Sequence, residues 1–197
     1  LGTSAAVAYP DVTDDHNVEA IEVLQAVGVM SGSNNGNFNP DAKISRIEMA
    51  IVMANLLNLD VNYFQGQNTF SDVPGWASGY VAACEASGIV NGVGGGRFGT
   101  GNVTATQAAL MMLKALGYFQ YNSDFGGDWA RATALQASKI RLFDGIDAQD
   151  NTQLTRNQVA QLALNAIESG MVDADNSSTV NVTTPDGTVV TNGSVNY

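Results

Sequence analysis

The chain holds 197 residues, enough for one domain with a real core, and its 19 acidic against 8 basic side chains leave a formal net charge of −11. That surplus repels phosphate backbones and argues against nucleic-acid binding as a main role. No apolar run reaches the ~20 residues of a membrane-spanning helix, and a lone cysteine, Cys84, excludes an internal disulfide and reads as a small core residue.

In chain order, residues 1–8 come first; they are small and apolar and end in Ala6-Val7-Ala8. They read as the remnant of a secretory signal, which points to export, or as a flexible N-terminus. Next, Val18, Ile21, Leu24 and Val27 recur at a spacing of three with Glu19 and Glu22 between them, which predicts a helix over residues 18–27 with one face on a core. Residues 31–41 are rich in the Gly and Asn that turns need; Phe38 interrupts them as a plug for the local core. Ser45-Arg46-Ile47-Glu48 then has the form of a capping box, with a hydroxyl at the helix cap and Glu three places on, and opens an apolar helix over residues 49–57.

The same succession returns twice. A helix over residues 77–87, a loop over 91–98 with Phe98, and the box Thr104-Ala105-Thr106-Gln107 precede an apolar run over 108–116; a helix over 129–138, a loop over 144–151, and the box Thr155-Arg156-Asn157-Gln158 precede another over 159–167. A recurrence at roughly fifty to sixty residues marks a repeat protein. A helix that is apolar nearly all round must be buried nearly all round, and a unit of about fifty residues is too small to enclose one alone. The three box-opened helices are therefore expected to bury one another as a central three-helix bundle, with the other three as an outer layer. From about residue 172 the composition shifts to Ser, Thr, Val, Asn and Gly, and Pro185-Asp186-Gly187 before Thr188-Val189-Val190 reads as a linker entering a hairpin.

These residues carry a resemblance. Tyr9-Pro10-Asp11-Val12, an outer helix, Gly28-Val29-Met30-Ser31-Gly32, Phe38-Asn39-Pro40 and Ile44-Ser45-Arg46-Ile47-Glu48 together resemble the S-layer homology repeat. Phe70-Ser71-Asp72-Val73, Trp76, Gly88-Ile89-Val90-Asn91-Gly92, Phe98 and Val103-Thr104-Ala105-Thr106-Gln107 repeat the pattern, and a more degenerate third copy keeps Trp129, Asp144-Gly145 and Leu154-Thr155-Arg156-Asn157-Gln158. The division is residues 9–60, 68–118 and 124–171, followed by a linker or the start of a β segment over 172–197. The resemblance implies a mainly α, pseudo-threefold domain of three tandem repeats. It also implies grooves between repeats that bind cell-wall polymers, in many members a pyruvylated amino sugar of a secondary cell-wall polysaccharide.

Candidate ligand-binding residues follow. Capping alone accounts for Glu48, Gln107 and Gln158. Arg46 and Arg156, by contrast, stand at the first position inside a helix, where the macrodipole disfavours a cation by ~0.3–1 kcal/mol. A helix N-terminus with its free N–H groups, beside Ser45, Thr104 or Thr155 and joined by a guanidinium fork, suits a carboxylate; the plainer reading pairs each arginine with an acidic neighbour such as Asp41 or Asp150. Ala105 takes the arginine's place in the second repeat. Trp76 and Trp129 either stack on a sugar face or fill the core, with the core favoured. Gly32, Gly92 and Gly145 either let a ligand approach the backbone or serve turn geometry.

No catalytic constellation emerges. The single His16, beside Asp14 and Asp15, reads as a solvent-facing residue at a helix start, no phosphate loop is present, and the runs 35–41 and 144–150 lack the ladder of a calcium loop. The expectation is thus a non-catalytic anchoring module of the bacterial cell surface, secreted and without cofactor or metal, that binds cell-wall polysaccharide. The alternatives are a subunit of a surface array held by protein contacts with other copies of itself, and a binder of amine-modified peptidoglycan through acidic residues.

Overall fold

Among the described residues seven α-helices carry the fold, in the order α1 (Val18–Ala26), α2 (Arg46–Leu56), the short α3 (Val61–Phe64), α4 (Ser78–Ala86), α5 (Ala105–Leu116), α6 (Trp129–Lys139) and α7 (Arg156–Ser169). This computed structural model describes residues 9–175, 179–193 and 195–197, so the reading of residues 1–8 lies outside the described residues. Two strands, β1 (Thr179–Thr183) and β2 (Val189–Gly193), pair antiparallel with Thr179 opposite Gly193. The chain is mainly helical, and among the described residues no helix is long and apolar enough to cross a membrane.

The three apolar helices begin where hydroxyl caps stand. Ser45 Oγ, Thr104 Oγ1 and Thr155 Oγ1 accept the N–H groups of Glu48, Gln107 and Gln158 at 3.0, 3.3 and 3.1 Å. The box closes in full at α5 and α7, where the Gln107 and Gln158 side chains accept the cap's own N–H at 3.1 and 2.9 Å. At α2 it stays half closed: the Glu48 carboxylate lies 3.6 Å from Arg156 Nη1. Capping alone therefore does not account for Glu48, because a guanidinium brought from the far end of the chain competes for its carboxylate.

Helix pairing crosses between units. The outer helix α1 packs on α7, α4 on α2 and α6 on α5, while α5 touches both α2 and α7. Each outer helix thus covers an inner helix other than the one that follows it in the chain. The segments just ahead of the caps lock this exchange. Ile44 N–H donates to Leu154 O at 3.1 Å, Leu154 N–H to Val103 O at 3.1 Å, and Val103 N–H to Ile44 O at 2.9 Å, a closed circuit of three bonds. All three side chains are fully buried, in one core cluster with Phe38, Phe98, Met49, Met53, Met112, Leu113 and Leu162.

Cys84 is likewise fully buried in α4, donating to Ala50 O at 3.3 Å, and burial pushes its thiol up to about 12. His16 departs from its expected exposure: its side chain is 11% exposed, Nδ1 accepts the Thr13 N–H and Nε2 meets Asp41 at 3.0 Å.

Candidate inter-repeat cleft

A cation at the first helical position needs compensation, and the structure supplies it across the unit boundary. Arg46 at the start of α2 donates from Nε to Phe98 O at 3.3 Å and from Nη2 to Asn91 O at 3.0 Å, with its guanidinium 4.9 Å from the Phe98 ring centroid. Arg156 at the start of α7 repeats this on the first unit, reaching Phe38 O and Ser31 O at 2.8 Å each and lying 4.7 Å over the Phe38 ring. The planar fork bridges two carbonyls and lies on an aromatic face at once, which an ammonium cannot do. Both arginines fasten a helix start to the loop of a neighbouring unit, and neither expected acidic partner is used. Asp41 pairs with His16, while Arg156 meets Glu48.

The helix N-termini are occupied too. At α7 the first two N–H groups donate to Ala42 O and Pro40 O and the third to Thr155 Oγ1; at α5 they donate to Thr152 O, Asp150 O and Thr104 Oγ1. The orphan donors of a helix start are thereby consumed by chain, so Thr104 and Thr155 act as caps rather than as walls of an anion site. Ser45 does the same for α2, where the Arg46 N–H goes to Gly101 O.

The glycines divide by cause. Neither Gly32 nor Gly92 has a positive φ, so turn geometry does not demand them. A Cβ at Gly92 would lie 2.6 Å from Phe70 Cε1 and 2.7 Å from Arg97 O, and one at Gly32 2.6 Å from Tyr9 Cε1 and 2.7 Å from Asn37 O. They make room for the aromatic that opens each unit. Gly145, at φ +76°, does answer a left-handed turn.

What remains accessible is a cleft of about 390 Å³ bounded by Arg46, the loop through Asn91 and Gly92, Gln107 and Lys114 of α5, Phe125 ahead of α6 and Trp129 at its start. Arg46, Gly92 and Trp129 of the expected residues meet here; Arg156, Trp76, Gly32 and Gly145 lie elsewhere. The core reading of the tryptophans is overturned, since Trp129 is 47% and Trp76 65% exposed. Trp76 stands just ahead of α4 and Trp129 begins α6, and small residues such as Ala77, Ala83 and Ala137 take the buried positions there.

Lys114 is the residue that sequence reasoning passed over. Its counterparts by distance from the box, Asn55 and Asn165, donate to Val29 O and Leu142 O. Lys114 instead turns its ammonium toward the Phe125 ring, 5.9 Å from the centroid, and burial pulls its pKa below the ordinary range. The signal was present as a cation breaking an otherwise apolar helix. No group of three or more His, Cys, Asp or Glu side chains among the described residues could hold a metal ion.

The loops under the arginines are tied down by two carboxylates. Asp72 accepts the N–H groups of Phe98 and Gly99 at 2.7 and 2.9 Å, and Asp11 those of Phe38 and Asn39 at 3.0 and 2.8 Å. Donation from Phe98 holds the Asp72 carboxyl below its ordinary 3.8, with burial opposing and Gly99 adding to the effect. A carboxyl depressed in the folded state contributes stability that is present above its unfolded pKa and lost as pH falls through the folded one. The urea midpoint of the wild-type chain is accordingly expected to fall as pH drops into the acid range below about 4. Asp72→Asn starts lower at neutral pH and has a shallower slope in that window; an equal slope would contradict the assignment.

Residues 8–50 and 69–104 match the family described as the S-layer homology domain. The chain is 31% identical over 114 residues to the S-layer protein sap of Bacillus anthracis, across 57% of this chain and 14% of that protein. It is 28% identical over 174 residues to the middle cell wall protein of Brevibacillus brevis (86% and 16%), and 30% identical over 152 residues to the surface layer protein of Brevibacillus choshinensis (72% and 13%). The matched region therefore spans less than a fifth of each of these three relatives.

Proposed function

We propose that the chain is a non-catalytic S-layer homology module that anchors an exported protein to the bacterial cell surface, with its three units set as repeats about a pseudo-threefold axis. The circuit of three main-chain bonds through Ile44, Val103 and Leu154 supports the repeat reading, and the matched family and the names of the relatives support the surface role. The ligand is a cell-wall polysaccharide held in the cleft at Lys114, and the single observation that carries this is the pairing there of a half-buried ammonium with an exposed indole. The Lys114 ammonium meets an acidic substituent, such as the pyruvyl carboxylate of an amino sugar, and Trp129 stacks on the sugar face. Arg46 shapes the floor, its Nε and Nη2 already committed to carbonyls.

The test is sedimentation of the chain with isolated sacculi before and after removal of the secondary polysaccharide. Binding is expected to vanish on stripping and to fall at least about tenfold in Lys114→Ala, the loss of a charge-assisted bond. Binding indifferent to both would overturn the polysaccharide reading. It would shift weight to protein-mediated assembly, for which the exposed apolar Ile167 and Met171, beside Leu56 and Leu116 at the far end of the inner helices, offer a surface.

A further inference from the structure

We propose that the cleft at Ala105 receives an arginine side chain from another protein, so that a guanidinium supplied in trans completes the third inter-unit contact. The argument rests on the chain's own two filled copies and is independent of the polysaccharide reading, which uses the cleft at Lys114. Main-chain bonds fix the register: Ala105 N–H to Thr152 O matches Arg46 N–H to Gly101 O and Arg156 N–H to Ala42 O, and Thr106 N–H to Asp150 O matches Asn157 N–H to Pro40 O. Counting back from Asp150 as Phe38 is counted back from Pro40 places Ala148 where Phe38 stands. Both members of the arginine–phenylalanine pair have thus become alanine together. The result is a cleft of about 460 Å³ that holds Ala105 and Ala148, with Asp144 and Asp150 also in its lining.

By the same count Ala148 O stands in the place of Phe38 O, on a loop three residues shorter, with Asp144 four residues ahead where Ser31 is seven ahead of Phe38; Asp144 O accepts Asn165 Nδ2 at 2.8 Å and keeps a second lone pair. Arg141 also lines the cleft, but its charge is matched by the Asp144 carboxylate at 2.7 Å, which leaves Asp150 in excess. A carboxylate rim on a chain of net charge −11 favours a cation. The same register holds a guanidinium in both other copies, and its planar fork, unlike an ammonium, reaches two acceptors at once.

The probe is N-acetyl-arginine methylamide, titrated into the isotope-labelled chain and followed by amide chemical shifts. Expected are saturable shifts at Ala105, Thr106 and Ala148 with a Kd on the order of 1–10 mM, and binding of the lysine counterpart at least about fivefold weaker. Ala148→Phe restores the aromatic face and should tighten arginine by about threefold; Ala105→Arg fills the cleft in cis and should abolish the shifts while raising the thermal midpoint. Absent shifts at these amides, equal binding of lysine, or arginine binding unchanged in Ala148→Phe would overturn the proposal, and that last variant decides the matter even if Ala105→Arg fails to fold. Soluble wall polysaccharide should move amides around Lys114 and leave these three in place; movement of these three by the glycan would also overturn it.

Discussion

Arg46→Ala and Arg156→Ala each unfold about 4–10 °C below the wild-type chain. Each substitution removes a guanidinium that donates to two carbonyls of another unit and lies on a buried phenylalanine ring. The loss of two charge-assisted bonds and a cation–π contact, partly offset by water reaching the carbonyls, amounts to about 2–3 kcal/mol, and a chain of this size converts that into the stated shift. Lysine restores little at either position, since it cannot span both carbonyls while stacking on the ring. The two sites lie at different unit boundaries, so the double variant should be additive to within about 0.5 kcal/mol. Arg156→Ala should cost slightly more, because Glu48 then loses its partner. Midpoints within about 1 °C of wild type would show that the arginines are not fasteners.

Phe98→Ala costs about 3–5 kcal/mol, the range for truncating a fully buried aromatic. The ring is completely enclosed, lies 5.6 Å from Phe70 and forms the face under Arg46. Its removal therefore takes away packing, an aromatic pair and the seat of the guanidinium together. The Phe98→Ala and Arg46→Ala effects should consequently be non-additive, with the double variant less destabilised than the two losses summed. Urea unfolding with an unchanged slope would attribute the loss to the folded state; a cost below about 1 kcal/mol would contradict the packing described.

The helices were legible because the signals that specify them are local. A hydroxyl cap followed three places on by Glu or Gln marks a helix start within a few residues, and the buried helices declared themselves by having almost no polar face. What the local pattern cannot carry is partnership across the chain. Arg156 could be recognised as unnecessary to its cap, yet its acceptors lie at Ser31 and Phe38, more than a hundred residues away. The same distance hid the pull of Arg156 on Glu48 and the exchange by which α1 covers α7. Trp76 and Trp129 misled because a large aromatic at a helix start says nothing about whether neighbouring alanines already fill the inner face. The opening aspartates were visible as a repeated motif, but their task, holding the N–H groups of Phe38 and Phe98, required the loop to be folded back on them.

The location of the polysaccharide in the cleft at Lys114 can be read most directly through the two tryptophans. Soluble wall polysaccharide is to be titrated into wild type, Trp76→Phe and Trp129→Phe while tryptophan emission is followed. The cleft contains Trp129 and not Trp76, so a saturable change should persist in Trp76→Phe and disappear in Trp129→Phe, with affinity reduced in the latter. A change that survives loss of Trp129, or that requires Trp76, would contradict the placement of the ligand.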